Sequence, residues 1–217
     1  RRWSTASFAA ERFVSAPGTS LRSCAVTDNL LAPVMIGSMT VPNRIVMAPM
    51  GVEIVGDDGM ANDEVVAYYE ARARGGAGLL ITEVAAFAYP HGANSVHQLA
   101  FSDDRFIPAL RRLTDAVHSH GSKIAVQLVH HGKVSRVDVA NGDPVFVPSM
   151  PEWHGSLDMI HDLSIDELMA MAAASGGAES KPQYHPMTTD DIAMVTEQLG
   201  DAVAVSYTHL TLPTRRG

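Results

Sequence analysis

The stretch that decides the fold is VPNRIVMAPMG, residues Val41 to Gly51. Ile45, Val46 and Met47 are typical of a β-strand, and this strand ends at the small Ala48 and at Pro49. A strand that stops there leaves backbone groups without a ladder partner and little side-chain bulk, so a flat ligand can approach its end.

Two further strand-like runs follow, GLLITE at Gly78 to Glu83 and KIAVQLVH at Lys123 to His130. Helices are predicted between successive strands, at Asp63 to Arg74 and at Asp103 to His120. The first has Asn62 as its N-cap and stops at Gly75 and Gly76. This alternation predicts parallel neighbouring strands. The fold class is therefore α/β, and we expect three adjacent strands of a parallel barrel with a ligand site at the carboxyl ends of the strands.

Composition excludes several classes of protein. The 217 residues are 46% hydrophobic and 18% charged, too apolar for a disordered chain. The net charge of −8 argues against a nucleic-acid partner, because phosphate binding needs clustered Lys and Arg. No apolar run approaches the roughly 20 residues that cross a bilayer, so no membrane segment is predicted. The single cysteine, Cys24, allows no internal disulfide, and we expect a cytoplasmic protein.

The chain divides into three parts. Residues 1–27 are rich in Ser, Ala and Arg, which suits either a transit peptide or an unstructured extension. Residues 28–204 are predicted to form the barrel portion. Residues 205–217 lack the turn and strand expected after a barrel helix, and the run SYTHLTLPT suggests foreign adapter or vector sequence. The alternative is a natural variable tail.

Within the central part, two regions fall outside the strand and helix alternation. Residues Asn29 to Thr40 predict a small hairpin that turns at Gly37 and Ser38. Residues 131–187 predict a lid or excursion with one helix signal, the capping box Ser164 to Glu167. A helix is then expected to begin at Thr188 and Asp191, with no fourth strand after it.

Three motifs in order carry a resemblance to a known family: PNRIVMAPMG with DDG at Asp57 to Gly59, then YYEARARGGAGLLITE, then HSHGSKIAVQLVHHGK. From about Asp28 to Ala204 the chain resembles the N-terminal half of the old yellow enzyme family, in the NADH:flavin oxidoreductase and 2,4-dienoyl-CoA reductase branch. The resemblance implies a (β/α)8 TIM barrel that holds FMN at the carboxyl ends of its strands, with about three of the eight strands present in this chain. It also implies that the FMN-binding residues are Ala48, Pro49, Met50, Gly51, Val84 and Gln127.

Each assignment has an alternative. Gln127 suits the pyrimidine edge of a flavin because a primary amide both donates and accepts, but it could be a core polar residue. Ala48 and Pro49 could simply end a strand. Glu83 is interpreted as a hydrogen-bonded structural carboxylate without a chemical role. His130, His131 and Lys133 suggest either a polar wall near the flavin or ordinary loop solvation. No metal site is predicted, since the histidines lack zinc-type spacing.

The resemblance implies a flavin oxidoreductase in which NAD(P)H reduces FMN and the flavin reduces an activated alkene of a small-molecule substrate. The family's substrate-oxygen ligands, proton-donating tyrosine and phosphate loops come from later strands, so the catalytic residues are unknown here. We expect these residues alone to bind FMN weakly or not at all and to aggregate. The alternatives are a catalytically inactive fragment or interaction module, and a barrel enzyme with a non-flavin ligand. Many relatives carry a hydroxyl or thiol where Gly51 stands, which predicts a more negative flavin potential here.

Overall fold

The structure is a computed structural model that describes residues 29–151, 164–166 and 181–210. Two short 3-10 turns, Asp104–Phe106 and Gly132–Val134, accompany the helices and strands. In chain order the elements are β1 (Val34–Ile36), β2 (Met39–Val41), β3 (Val46–Met47), α1 (Asp63–Arg74), β4 (Leu79–Ala86), α2 (Ile107–His118), β5 (Lys123–Val129), α3 (Arg136–Asn141), β6 (Pro144–Val147), β7 (Gln183–Pro186) and α4 (Thr189–Leu210).

The central sheet has three strands in the order β3-β4-β5, and both pairings are parallel. Val46 of β3 pairs with Leu79 of β4, and Leu79 pairs in turn with Lys123 of β5. Helix α1 connects the first pair and α2 connects the second. The prediction of three parallel neighbours is confirmed, and the described residues form part of an α/β barrel without closing it.

Helix α1 has the predicted bounds, because the residues at both of its ends favour a helix start and a helix stop. The Asn62 side chain accepts the N–H of Val65 at 2.9 Å, and Asp63 and Glu64 lie in the first turn, near the positive end of the helix dipole. Gly75 ends the helix, with its N–H donating to Ala71. Helix α2 is shorter than expected, because Asp104–Phe106 forms a 3-10 turn and the α-helix ends at His118.

The core lies between the helices and the sheet. Helix α2 turns one apolar face inward, and full burial of each large apolar side chain contributes about 1.5–3 kcal/mol. Tyr69 of α1 and Leu80 of β4 meet this face. The buried residues from the 3-10 turn and α2 are Phe106, Leu110, Leu113 and Val117, each at most 1% exposed.

The predicted hairpin is confirmed. Strands β1 and β2 pair antiparallel, with Val34 opposite Val41. Gly37 takes the turn with a φ of 57°, a left-handed conformation that favours glycine.

Three elements between residues 131 and 187 were not predicted. Helix α3 is only six residues long, and β6 and β7 form a two-stranded parallel sheet in which Phe146 lies opposite His185. The strands are four residues each and contain proline, so they carry little periodic signal. In the predicted capping box, Ile165 and Asp166 are helical, and Glu167 lies outside the described residues.

Helix α4 continues past residue 204, where the barrel portion was expected to end. It runs to Leu210, and Val205 and Ser206 are 6% and 7% exposed. Residues 1–28 and 211–217 lie outside the described residues, and with them the whole of the predicted N-terminal part, residues 1–27. Among the described helices, none combines the length and the apolar character that crossing a membrane requires.

Candidate functional site

The candidate site is the carboxyl edge of the central sheet. Strand β3 ends at Met47, and residues 48–51 continue from it without regular structure. Ala48 and Met50 are exposed, with Met50 at 52%. On the neighbouring strands, Val84 of β4 lies directly opposite Gln127 of β5. The structure therefore brings the predicted residues to the same end of three adjacent parallel strands.

This edge is open and combines polar with apolar groups. A Cβ placed on Gly51 would meet no described atom within 4 Å, so the chain here is open to a ligand. Gln127 is exposed, and its amide offers both a donor and an acceptor. The exposed Met50 side chain adds apolar surface. A flavin ring fits this set, since it combines apolar faces with an edge of alternating carbonyl and N–H groups.

A β-bulge interrupts β4 beside the candidate site. Ile81 pairs with Ala125 and Val84 pairs with Gln127, so Thr82 and Glu83 together face a single residue of β5. The Thr82 hydroxyl fills the gap in the ladder: it accepts the N–H of Gln127 at 3.3 Å and donates to the carbonyl of Glu83 at 3.0 Å. Bulges of this kind redirect side chains and are common beside functional sites.

Glu83 is a buried carboxyl, 1% exposed. Its Oε2 accepts the N–H of Val52 at 2.9 Å, whereas its Oε1 makes no hydrogen bond to the described residues. Burial raises the pKa of Glu83 above its ordinary value, and the backbone N–H groups of Val52, Leu99 and Glu53 oppose that rise. Glu83 is therefore hydrogen-bonded, in agreement with its interpretation from the sequence as a structural carboxylate.

Tyr69 of α1 supports the same bulge. Its hydroxyl oxygen accepts the N–H of Glu83 at 2.6 Å, and its side chain is fully buried. Burial raises the pKa of Tyr69 well above its ordinary value, so the phenol stays protonated. The bulge is thus fixed from the helix side as well as from β5.

His130 lies at the end of β5 and is packed rather than solvated. Its ring centroid is 5.7 Å from that of Phe87 and 6.4 Å from that of Phe146, whose ring is nearly parallel to it. Its Nδ1 accepts the N–H of Gly132 at 3.1 Å. Burial lowers the pKa of His130, so the ring favours its neutral form. No sequence pattern predicted this packing, because the strand that carries Phe146 was not itself predicted.

The other two residues of the predicted polar wall are His131 and Lys133. The Nε2 atom of His131 is buried and has no hydrogen-bond partner among the described residues, and burial lowers the pKa of this ring as well. Lys133 is exposed to solvent, which agrees with the alternative of ordinary loop solvation.

A second cluster joins the loop after β4 to helix α3. The Asp138 carboxylate, 2% exposed, accepts the N–H of Gly92 at 3.0 Å and contacts His91 Nδ1 at 3.2 Å. Asp143 brings a third possible metal ligand within 4.8 Å of both. No sequence spacing predicted this group. Through Gly92 and His91, Asp138 links the loop after β4 to helix α3.

Two relatives of known function match about half of the chain. The chain is 39% identical to an NADH oxidase of Thermoanaerobacter brockii over 121 residues, which is 56% of this chain and 19% of that protein. It is 40% identical to an NADPH dehydrogenase of Listeria welshimeri over 107 residues, 49% of this chain and 31% of that protein. The chain therefore spans less than a third of these two curated relatives.

Solved structures show the same fold. An old yellow enzyme from Pichia sp. AKU4542 superposes with a TM-score of 0.66 at 24% identity, covering 84% of this chain and 43% of that one. A morphinone reductase superposes with a TM-score of 0.64 at 26% identity, covering 83% and 45%. Both alignments confirm the partial TIM-barrel fold. The model of the NADH:flavin oxidoreductase / NADH oxidase family, an FMN family, matches residues 29–207, and the chain belongs to that family.

Proposed function

We propose that this chain supplies the first three strands of an FMN-dependent oxidoreductase that takes hydride from NAD(P)H and delivers it to an activated alkene. Family membership supports the flavin and the reaction type. The names of two relatives, an NADH oxidase and an NADPH dehydrogenase, support a nicotinamide donor. FMN, when bound, supplies the hydride chemistry, and the protein supplies binding and orientation.

The observation that carries the proposal is the register between Val84 and Gln127 at the open carboxyl edge of the sheet. It pairs Val84 of β4 with Gln127 of β5, and β4 lies next to β3, which leads into the Ala48–Gly51 segment. In the proposed roles, this segment lines one side of the isoalloxazine ring. The Val84 backbone meets the ring, and the Gln127 amide binds its pyrimidine edge.

Gln127 provides the first test, in the full-length protein. Gln127→Leu keeps the approximate size of the side chain but removes its donor and its acceptor. Loss of two hydrogen bonds of about 0.5–1.5 kcal/mol each predicts FMN binding that is about 5- to 150-fold weaker. Quenching of FMN fluorescence during titration measures the dissociation constant.

The matched control is Gln183→Leu, at an exposed position in β7 away from the central sheet. It should leave the FMN dissociation constant unchanged. Equal affinities for wild type and Gln127→Leu would remove Gln127 from the flavin edge. A full-length wild-type protein that binds no FMN would refute the function itself and favour an inactive or interaction module.

A further inference from the structure

Glu83 is a buried carboxyl that the proposed function does not use. It occupies the bulge of β4, one residue before Val84, and is 1% exposed. A carboxyl in such a place loses favourable hydration, so it is retained at a cost that its contacts must offset. The contacts indicate what the group does.

The Oε2 atom of Glu83 reaches across to the segment that follows β3. It accepts the N–H of Val52 at 2.9 Å, and Val52 directly follows Gly51 of the candidate site. The next residue, Glu53, has a φ of 51°, the one left-handed backbone among the described non-glycine residues. Such a conformation is costly for a residue with a Cβ and persists only where surrounding contacts hold it.

The bulge places Glu83 in an irregular part of β4. In a regular ladder the side chains of Thr82 and Glu83 would point to opposite faces of the sheet, and each would face a residue of its own on β5. The extra residue breaks that alternation, and the Thr82 hydroxyl and the Tyr69 phenol then satisfy the backbone groups on either side of the bulge. The carboxyl is thus held on the middle strand while it binds the adjacent segment.

We propose that Glu83 is a positioning residue: by holding the N–H of Val52, it fixes the Ala48–Gly51 segment in the place where the flavin ring binds. The proposal rests on the proposed function. Glu83 itself does not touch the ligand, so its effect on binding passes through the backbone of residues 48–52.

Two substitutions separate this role from simple burial. Glu83→Gln keeps an oxygen that can accept the Val52 N–H, and Glu83→Ala removes it. In the full-length protein without FMN, Glu83→Ala should speed hydrogen exchange of the Val52 amide about 10- to 100-fold, whereas Glu83→Gln should stay close to wild type. The FMN dissociation constant should rise about tenfold in Glu83→Ala and be restored in Glu83→Gln.

Ser122→Ala is the matched control for lost stability. Ser122 is 3% exposed at the opposite edge of the sheet, where its hydroxyl donates to the carbonyl of Ala77 at 2.6 Å. Its loss removes a buried hydrogen bond without touching residues 48–53. Neither Val52 exchange nor FMN affinity should change.

Two results would overturn the proposal: Val52 exchange that is fast in wild type, or a Glu83→Ala protein that releases Val52 but binds FMN as tightly as wild type. The exchange of the Val52 amide in wild type can be measured even if Glu83→Ala fails to fold. Failure of wild type to bind FMN would refute the proposed function instead, since the exchange experiment needs no flavin.

Discussion

Gly92, in the loop after β4, should tolerate a side chain poorly. Its φ is 65°, and a Cβ built on it would overlap the ring of His130. Gly92→Ala therefore incurs two costs. The left-handed backbone accounts for about 1–2 kcal/mol, and forcing the packed ring aside accounts for about 1–3 kcal/mol. Together they predict a loss of about 2–5 kcal/mol in the free energy of unfolding.

Gly142→Ala measures the backbone cost alone, so its difference from Gly92→Ala gives the cost of displacing the ring. Gly142 ends α3 with a φ of 76°, but a Cβ there would meet no described atom within 4 Å. It should lose only the backbone contribution of about 1–2 kcal/mol. Urea denaturation of wild type and both variants in the full-length protein gives the two differences. If Gly92→Ala is no more destabilising than Gly142→Ala, the close packing of Gly92 against His130 is refuted.

Two further predictions concern the carboxyl edge of the central sheet. Burial lowers the pKa of His130 below 6.5, so folding favours the neutral ring. The contribution of this ring to stability is therefore complete above about pH 6.5 and decreases as the pH drops below that value. His130→Leu should flatten that fall between about pH 7 and pH 5 in urea denaturation, and an unchanged slope would contradict it. Gly51→Thr has room for its side chain and adds a hydroxyl donor, so it should raise the reduction potential of bound FMN. An unchanged or lower potential in a redox titration would contradict that prediction.

The sequence was most informative where the signal is local. The bounds of α1 follow from Asn62, two acidic residues and a terminal glycine, all within a few positions of the helix ends. The order of strands followed from β-branched runs separated by helices, because connections of that kind give parallel neighbours. Such patterns need no knowledge of distant residues.

The strand ends were harder to predict. Strand β4 was expected to stop at Glu83 but continues to Ala86, because the bulge accommodates the carboxyl and lets Ala85 and Ala86 pair with β5. Strands β6 and β7 were missed for a related reason. Each is four residues long, and their pairing joins positions about 40 residues apart in the chain.

The sequence by itself determined the parallel sheet and the residues that follow its strands, because hydrophobic period and capping act over one or two turns of chain. Only the tertiary structure decided that Glu83 binds Val52, that His130 packs between Phe87 and Phe146, and that Asp138 holds Gly92. These contacts join residues 16 to 46 positions apart in the chain. Their formation depends on how close the strands and helices bring two side chains, which no local pattern encodes.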